Sequence, residues 1–193
     1  MKTDQAKRRK TVTKEIVTAI KQTADIFQTT VETISKTLGT TLKDTRKVGA
    51  SVTEAIADVA SDAILAAVQG GPDRLRHAAK GIMIGVLRTS KAAGAEVMET
   101  VRHTAHATVL GAAVLGTELA AVATGLVEGA IAGAKEAGVS IEDAAAAAAD
   151  GAVKAAGKIG ASAEKTVRQA VTAAARRAKV VLKQPPAAKS NKK

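Results

Sequence analysis

Apolar residues recur along this chain at steps of three and four. Between residues 49 and 160 they fall into blocks opened by a glycine: Gly49, Gly71, Gly94, Gly116, Gly138 and Gly160, spaced 22, 23, 22, 22 and 22 residues apart. With each glycine as position 1, position 8 is Ile56, Ala78, Val101, Ala123, Ala145 and Val167, and position 12 is Ala60, Ile82, Ala105, Val127, Ala149 and Val171. Position 16 (Ile64, Val86, Val109, Ile131, Val153, Ala175) and position 4 (Val52, Val97, Leu119, Ile141, Ala163, with Arg74 as the exception) extend the stripe. This is a helical period, since strands alternate in twos. The stripe averages about 3.67 residues per turn, a spacing that keeps helices straight or slightly right-handed and disfavours a leucine zipper.

Local signals divide the stripe into separate helices. Ser51 with Glu54, Ser140 with Asp143 and Thr29 with Glu32 have capping-box spacing, in which two side chains satisfy helix-start amides. Lys47, Lys91 and Lys135 stand shortly before Gly49, Gly94 and Gly138, the pattern of a basic last turn closed by a left-handed glycine. Gly70, Gly71 and Pro72 form a further break. Alternate blocks are also alike, as in "GIMIGVLRTSKAAG" and "GLVEGAIAGAKEAG", which begin 44 residues apart. The expected fold is all-α: antiparallel helices of about 20 residues joined by tight turns, in a helix-pair repeat of about 44 residues, as a bundle or array.

Composition adds three constraints. Phe27 is the sole aromatic residue, so the core is built from alanine, valine, isoleucine and leucine, and helix backbones must approach closely to bury enough surface. The chain has no cysteine, which fits a reducing compartment. The net charge of +11 is concentrated at the ends: residues 1–48 hold eleven Lys/Arg against five Asp/Glu, residues 49–159 nine against twelve, and residues 160–193 nine against one. The expected organisation is a disordered basic tail over 1–14, a helical-repeat domain over 15–181 and a disordered basic tail over 182–193, where Pro185 and Pro186 forbid helix. The opening "MKTDQAKRRKTVTKE" lacks the apolar stretch of a secretory signal, so a cytoplasmic location is expected, peripheral to a membrane, granule or nucleoid.

The candidate anion contacts are Lys7, Arg8, Arg9 and Lys10 at one end and Arg176, Arg177, Lys179 and Lys183 at the other. Gly125, Gly129 and Gly133 make a GxxxGxxxG ridge, and Gly81 with Gly85 a shorter one; both suit close helix packing. Glu99, His103 and His106 lie at i, i+4 and i+7, but the second Glu/His set of a di-metal bundle is missing, so no metal and no cofactor are expected. No nucleophile is paired with a poised base and no phosphate loop follows a strand, so neither an enzyme nor a small-molecule substrate is expected. The segment 107–127 is apolar apart from Glu118 and long enough to cross a bilayer.

In texture, alanine-rich helical blocks with basic ends resemble phasins, the amphipathic proteins that coat polyester granules, and blocks such as "GLVEGAIAGA" resemble uncharacterised bacterial alanine- and glycine-rich helical proteins. The eleven-residue period is also similar to that of late embryogenesis abundant proteins, though a mean hydropathy of +0.06 is too apolar for them. The phasin resemblance implies a non-enzymatic protein that self-associates as a homo-oligomer and coats a lipid or granule surface, its stripe supplying apolar contact and its ends anchoring anions. Two alternatives stand beside it. One is a nucleoid-associated protein binding DNA non-specifically through its basic tails. The other is a membrane protein spanning through a glycine-zipper helix at 107–127.

Overall fold

The computed structural model describes residues 28–36, 50–92 and 96–182. All the regular structure among them is helical. A helical segment over residues 28–36 is followed by α1 (Ala50–Ala67), a tight 3-10 turn (Val68–Gly70), α2 (Gly71–Ala92), α3 (Val97–Val114), α4 (Leu119–Ala137), α5 (Ile141–Ile159) and α6 (Ala161–Arg177). The six long helices run 17 to 22 residues, close to the expected length.

Four of the six periodic glycines sit at helix breaks with positive φ: Gly71 (74°), Gly116 (64°), Gly138 (63°) and Gly160 (153°). Gly49 and Gly94 lie outside the described residues. Two of these glycines share one closure with a third helix end. The amide of the following residue reaches back five residues, Thr117 to the Ala112 carbonyl (3.1 Å), Val139 to Ala134 (3.1 Å) and Val180 to Ala175 (2.9 Å). Val139 and Val180 then pack on the core, completing a Schellman-type cap. At the third end the left-handed position is held by Lys179 (φ 57°), where a side chain costs about 1 kcal/mol that glycine avoids. At the start of α5 the Asp143 amide donates to Ser140 Oγ at 3.2 Å, as its capping-box spacing predicts.

The stripe forms the core. Every residue at positions 8 and 12, from Ile56 and Ala60 to Val167 and Val171, is buried. The most extensive packing is between helices two apart, α2 with α4 and α3 with α5, and each helix also touches its chain neighbours. This makes a two-layer array, α1, α3 and α5 beside α2, α4 and α6. Along the α2–α4 contact Gly125 lies over Arg76, Gly129 over Lys80 and Gly133 over Ile84 and Leu87, so both chains advance together and the pair is parallel. Helices joined by the short turns are antiparallel, as expected. Pair spacing varies: α1, α3 and α5 start at 50, 97 and 141, and α2, α4 and α6 at 71, 119 and 161. No single unit of 44 residues describes these boundaries.

Large and small residues are segregated. Leu75, Ile82, Met83, Ile84 and Leu87 of α2 are fully buried, whereas the buried residues of α5 are all alanine or glycine. Bulk on α2 fills the space left by glycines on α4, so the two backbones approach closely. Thr104 and Thr108 are buried on α3, and their hydroxyls donate to carbonyls one turn back, Thr100 and Thr104, at 2.8 and 2.7 Å.

One expectation is corrected. Residues 107–127 are not one helix: α3 ends at Val114, the chain turns at Gly116, and α4 begins at Leu119. Among the described residues no helix is long and apolar enough to cross a membrane. The segment reads as apolar because the buried parts of two antiparallel helices are joined by a turn with few charges. At positions 8 and 12 the stripe is spent on internal packing. Lys7, Arg8, Arg9, Lys10 and Lys183, with the tails over 1–14 and 183–193, lie outside the described residues, while Leu182 packs against the core.

Candidate functional site

The glycine ridges are packing elements inside the array. A Cβ on Gly129 would lie 2.5 Å from the Lys80 carbonyl oxygen and 2.9 Å from Met83 Cβ, and one on Gly133 2.8 Å from Leu87 Cδ1. Gly125 is pressed equally closely on the Arg76 carbonyl. Gly85 packs against Val31 and Ile34 of the 28–36 segment, and Gly81 is buried on the same helix. Gly151 of α5, not singled out by sequence, makes the same kind of approach to the Arg102 carbonyl of α3.

Ion pairs fix the register between helices two apart. Arg88 of α2 meets Glu136 of α4 at 2.6 Å, and Arg102 of α3 donates to Asp150 of α5 at 3.0 Å. Lys154 reaches the same Asp150 oxygen at 2.9 Å. Lys91 donates to the Ala137 carbonyl, capping the end of α4 and not its own helix. Nothing local in the sequence marks these pairs, because the partners are 46 to 48 residues apart.

The basic residues of the C-terminal end are exposed along the length of α6. Lys158 at the end of α5, Lys165, Arg168, Arg176 and Arg177 on α6, and Lys179 beyond it are exposed, with Glu164 as the acid among them. Glu164 holds Arg168 at 2.6 Å, and Arg177 lies 4.0 Å from Glu128 of α4. Arg176 has no ion pair among the described residues. Sequence reading picked out Arg176, Arg177 and Lys179 but not Lys165 and Arg168, which the helical period brings onto the same side.

Beside α6 runs a groove of about 950 Å³ between α3 (Met98 and Arg102), α5, α6 and the segment 180–182. Its floor is Ala146, Ala147 and Val153 of α5 with Val171 and Ala175 of α6. Arg102, Lys154, Arg168 and Arg176 stand on its rim, with Asp143 and Asp150.

Glu99, His103 and His106 share α3. His103 Nδ1 is 3.4 Å from a Glu99 oxygen, and the other Glu99 oxygen takes Arg102. Burial, with Lys158, His103 and Lys154 nearby, holds His106 below the usual histidine range. Among the described residues no group of three or more His, Asp or Glu side chains is placed to hold a metal ion.

With the geometry in view, comparison with solved structures gives a likeness of fold. The chain is similar to the crystal structure of the de novo designed helical repeat protein DHR7, with a TM-score of 0.54 and 21% identity, over 90% of this chain and 96% of that one. The likeness is one of fold. It agrees with a helical-repeat architecture of stacked helices. No protein-family model matches the chain, and no curated protein matches it.

Proposed function

We propose that this chain is a non-enzymatic helical-repeat protein that binds DNA without sequence preference through its cationic ends. The observation that carries this reading is the burial of the whole position 8 and position 12 stripe. An interfacial coat needs exposed apolar area as well as charge. Among the described residues the large apolar side chains left exposed are Leu65, Val114, Ile159 and Val181, one each on α1, α3, α5 and the C-terminal segment. What the chain carries in quantity is positive charge, on the exposed side of α6 and, in the sequence, in the lysines and arginines of both ends.

Phosphate neutralisation supplies affinity by releasing counterions and carries no sequence information. Arg168 and Arg176 are eight residues apart on one helix, about 12 Å, a spacing compatible with following a phosphate backbone. With no aromatic residue on α6 to stack bases, double-stranded DNA suits this surface better than single strands or RNA.

The test is fluorescence anisotropy on a mixed-sequence duplex of about 30 base pairs, titrated between about 50 and 200 mM salt. Binding with a log–log salt slope of about −4 or steeper is expected, independent of sequence. The triple change Lys165→Glu, Arg177→Glu and Lys179→Glu removes three contacts and flattens the slope by about three. Absence of binding at the lowest salt, or an unchanged slope in the triple variant, refutes the proposal. Tighter binding to anionic vesicles than to the duplex would restore the surface-coating reading.

A further inference from the structure

The link between α5 and α6 is a single residue. α5 ends at Ile159 and α6 begins at Ala161, with Gly160 alone between them at φ 153° and ψ 165°. Glycine adopts this backbone conformation readily, and other residues adopt it only at a cost. On either side of the link helical hydrogen bonds are already made: the Gly160 amide donates to the Ala156 carbonyl and the Glu164 amide to the Gly160 carbonyl, both at 3.0 Å. With Gly160 turned to helical angles, the amides of residues 161, 162 and 163 would gain the carbonyls of 157, 158 and 159, and Ile141 to Arg177 would become one helix. The turns at Gly116 and Gly138 are tied down by their return bonds, and the Ser140 hydroxyl caps α5. α6 starts without a side-chain cap.

The buried residues also stay in phase across the link. Ala145 and Val167 are 22 residues apart, as are Ala149 and Val171, and all four are buried. That spacing is about six helical turns, so a continuous helix would carry both sets on one side. In the hairpin, α6 lays Val167, Val171, Ala174 and Ala175 against α4 and α5. Swung out, it would leave that place empty and expose its own apolar side to water. What fits the empty place is an α6, and a second copy opened in the same way supplies one, so the contacts of α6 are remade between chains.

We propose that α6 exchanges between two copies of this chain, with Gly160 as the hinge and residues 141–177 of each copy forming one continuous helix in the exchanged dimer. Each dimer releases two glycines from a conformation reserved for that residue and completes the helical bonds across both links, which offsets the cost of association as concentration rises. The proposal does not depend on DNA binding, for which monomer and dimer both offer the exposed side of α6.

The test refolds the full chain from urea at low and at high protein concentration and separates the products by gel filtration. Monomer is expected at low concentration. At high concentration a dimer is expected that survives dilution in the cold, because α6 must leave the array before the chains can part. Hydrogen exchange read by mass spectrometry should show the amides of residues 161–163 protected in the dimer and fast in the monomer. The methyl of Gly160→Ala meets no atom within 4 Å, so it acts on the backbone alone and should raise the dimer-to-monomer ratio at least about tenfold. Gly157→Ala, inside α5 in both forms, should leave the ratio unchanged. Two glycines inserted after Gly160 relax the hairpin and interrupt the long helix, and should abolish the dimer. A wild-type chain that yields no dimer overturns the proposal. So does a dimer in which residues 161–163 exchange as fast as in the monomer, or one that persists with the inserted glycines, since unexchanged copies would then be in contact through another surface.

Discussion

Glycine to alanine should have opposite signs at two helical positions of this array. At Gly129 the added methyl would sit 2.5 Å from the Lys80 carbonyl oxygen and 2.9 Å from both Lys80 Cα and Met83 Cβ. Two of these atoms belong to backbone, so relief requires α2 and α4 to move apart. Such overpacking costs about 1–3 kcal/mol, and the better helix propensity of alanine returns about 1 kcal/mol. At Gly157, on the exposed side of α5, the nearest atom is the mobile Glu164 Oε2 at 3.4 Å. There the propensity gain stands alone, at about 0.5–1 kcal/mol. The two variants should therefore differ by about 2 kcal/mol, or roughly 4–8 °C in melting temperature for a chain of this size. Thermal melts followed by circular dichroism at 222 nm read the difference directly. If Gly129→Ala melts at or above the temperature of Gly157→Ala, the close α2–α4 contact does not exist.

Asp150→Ala should cost about 1–2 kcal/mol in urea unfolding, because Asp150 is half-buried and shared by Arg102 and Lys154. Glu164→Ala, which breaks the exposed pair with Arg168, should change stability by no more than about 0.5 kcal/mol; equal costs would refute the ranking. For His106, burial and the nearby Lys158, His103 and Lys154 disfavour the protonated form, so the unfolded chain takes up this proton first as pH falls. The stability it contributes is present above the ordinary histidine pKa of about 6.5 and is lost as pH falls through the lower folded value, and His106→Gln should remove that part of the acid slope in urea midpoints.

The division into helices was legible because it is a local matter. A helix must hide one stripe and must stop somewhere, and both leave marks within a few residues: the buried column from Ile56 to Val167, and left-handed closures at Gly116 and Gly138. The same logic misled at 107–127. Hydropathy summed along a line cannot distinguish one apolar helix from two half-buried ones, and the deciding residue, Gly116, is only one of several glycines in that stretch. Lys179 shows the converse, a left-handed closure that no glycine announces.

Interhelical register was not legible, and the candidate site depends on it. The sequence shows that Gly125, Gly129 and Gly133 share a face, but not that this face meets α2 in parallel, with Arg88 opposite Glu136. The basic residues of α6 follow the same rule. Val167, Val171 and Ala175 are buried on one side of that helix, so Lys165, Arg168 and Arg176 stand together on the other, and the reach of Arg177 to Glu128 of α4 depends on a packing that no local signal in the sequence marks.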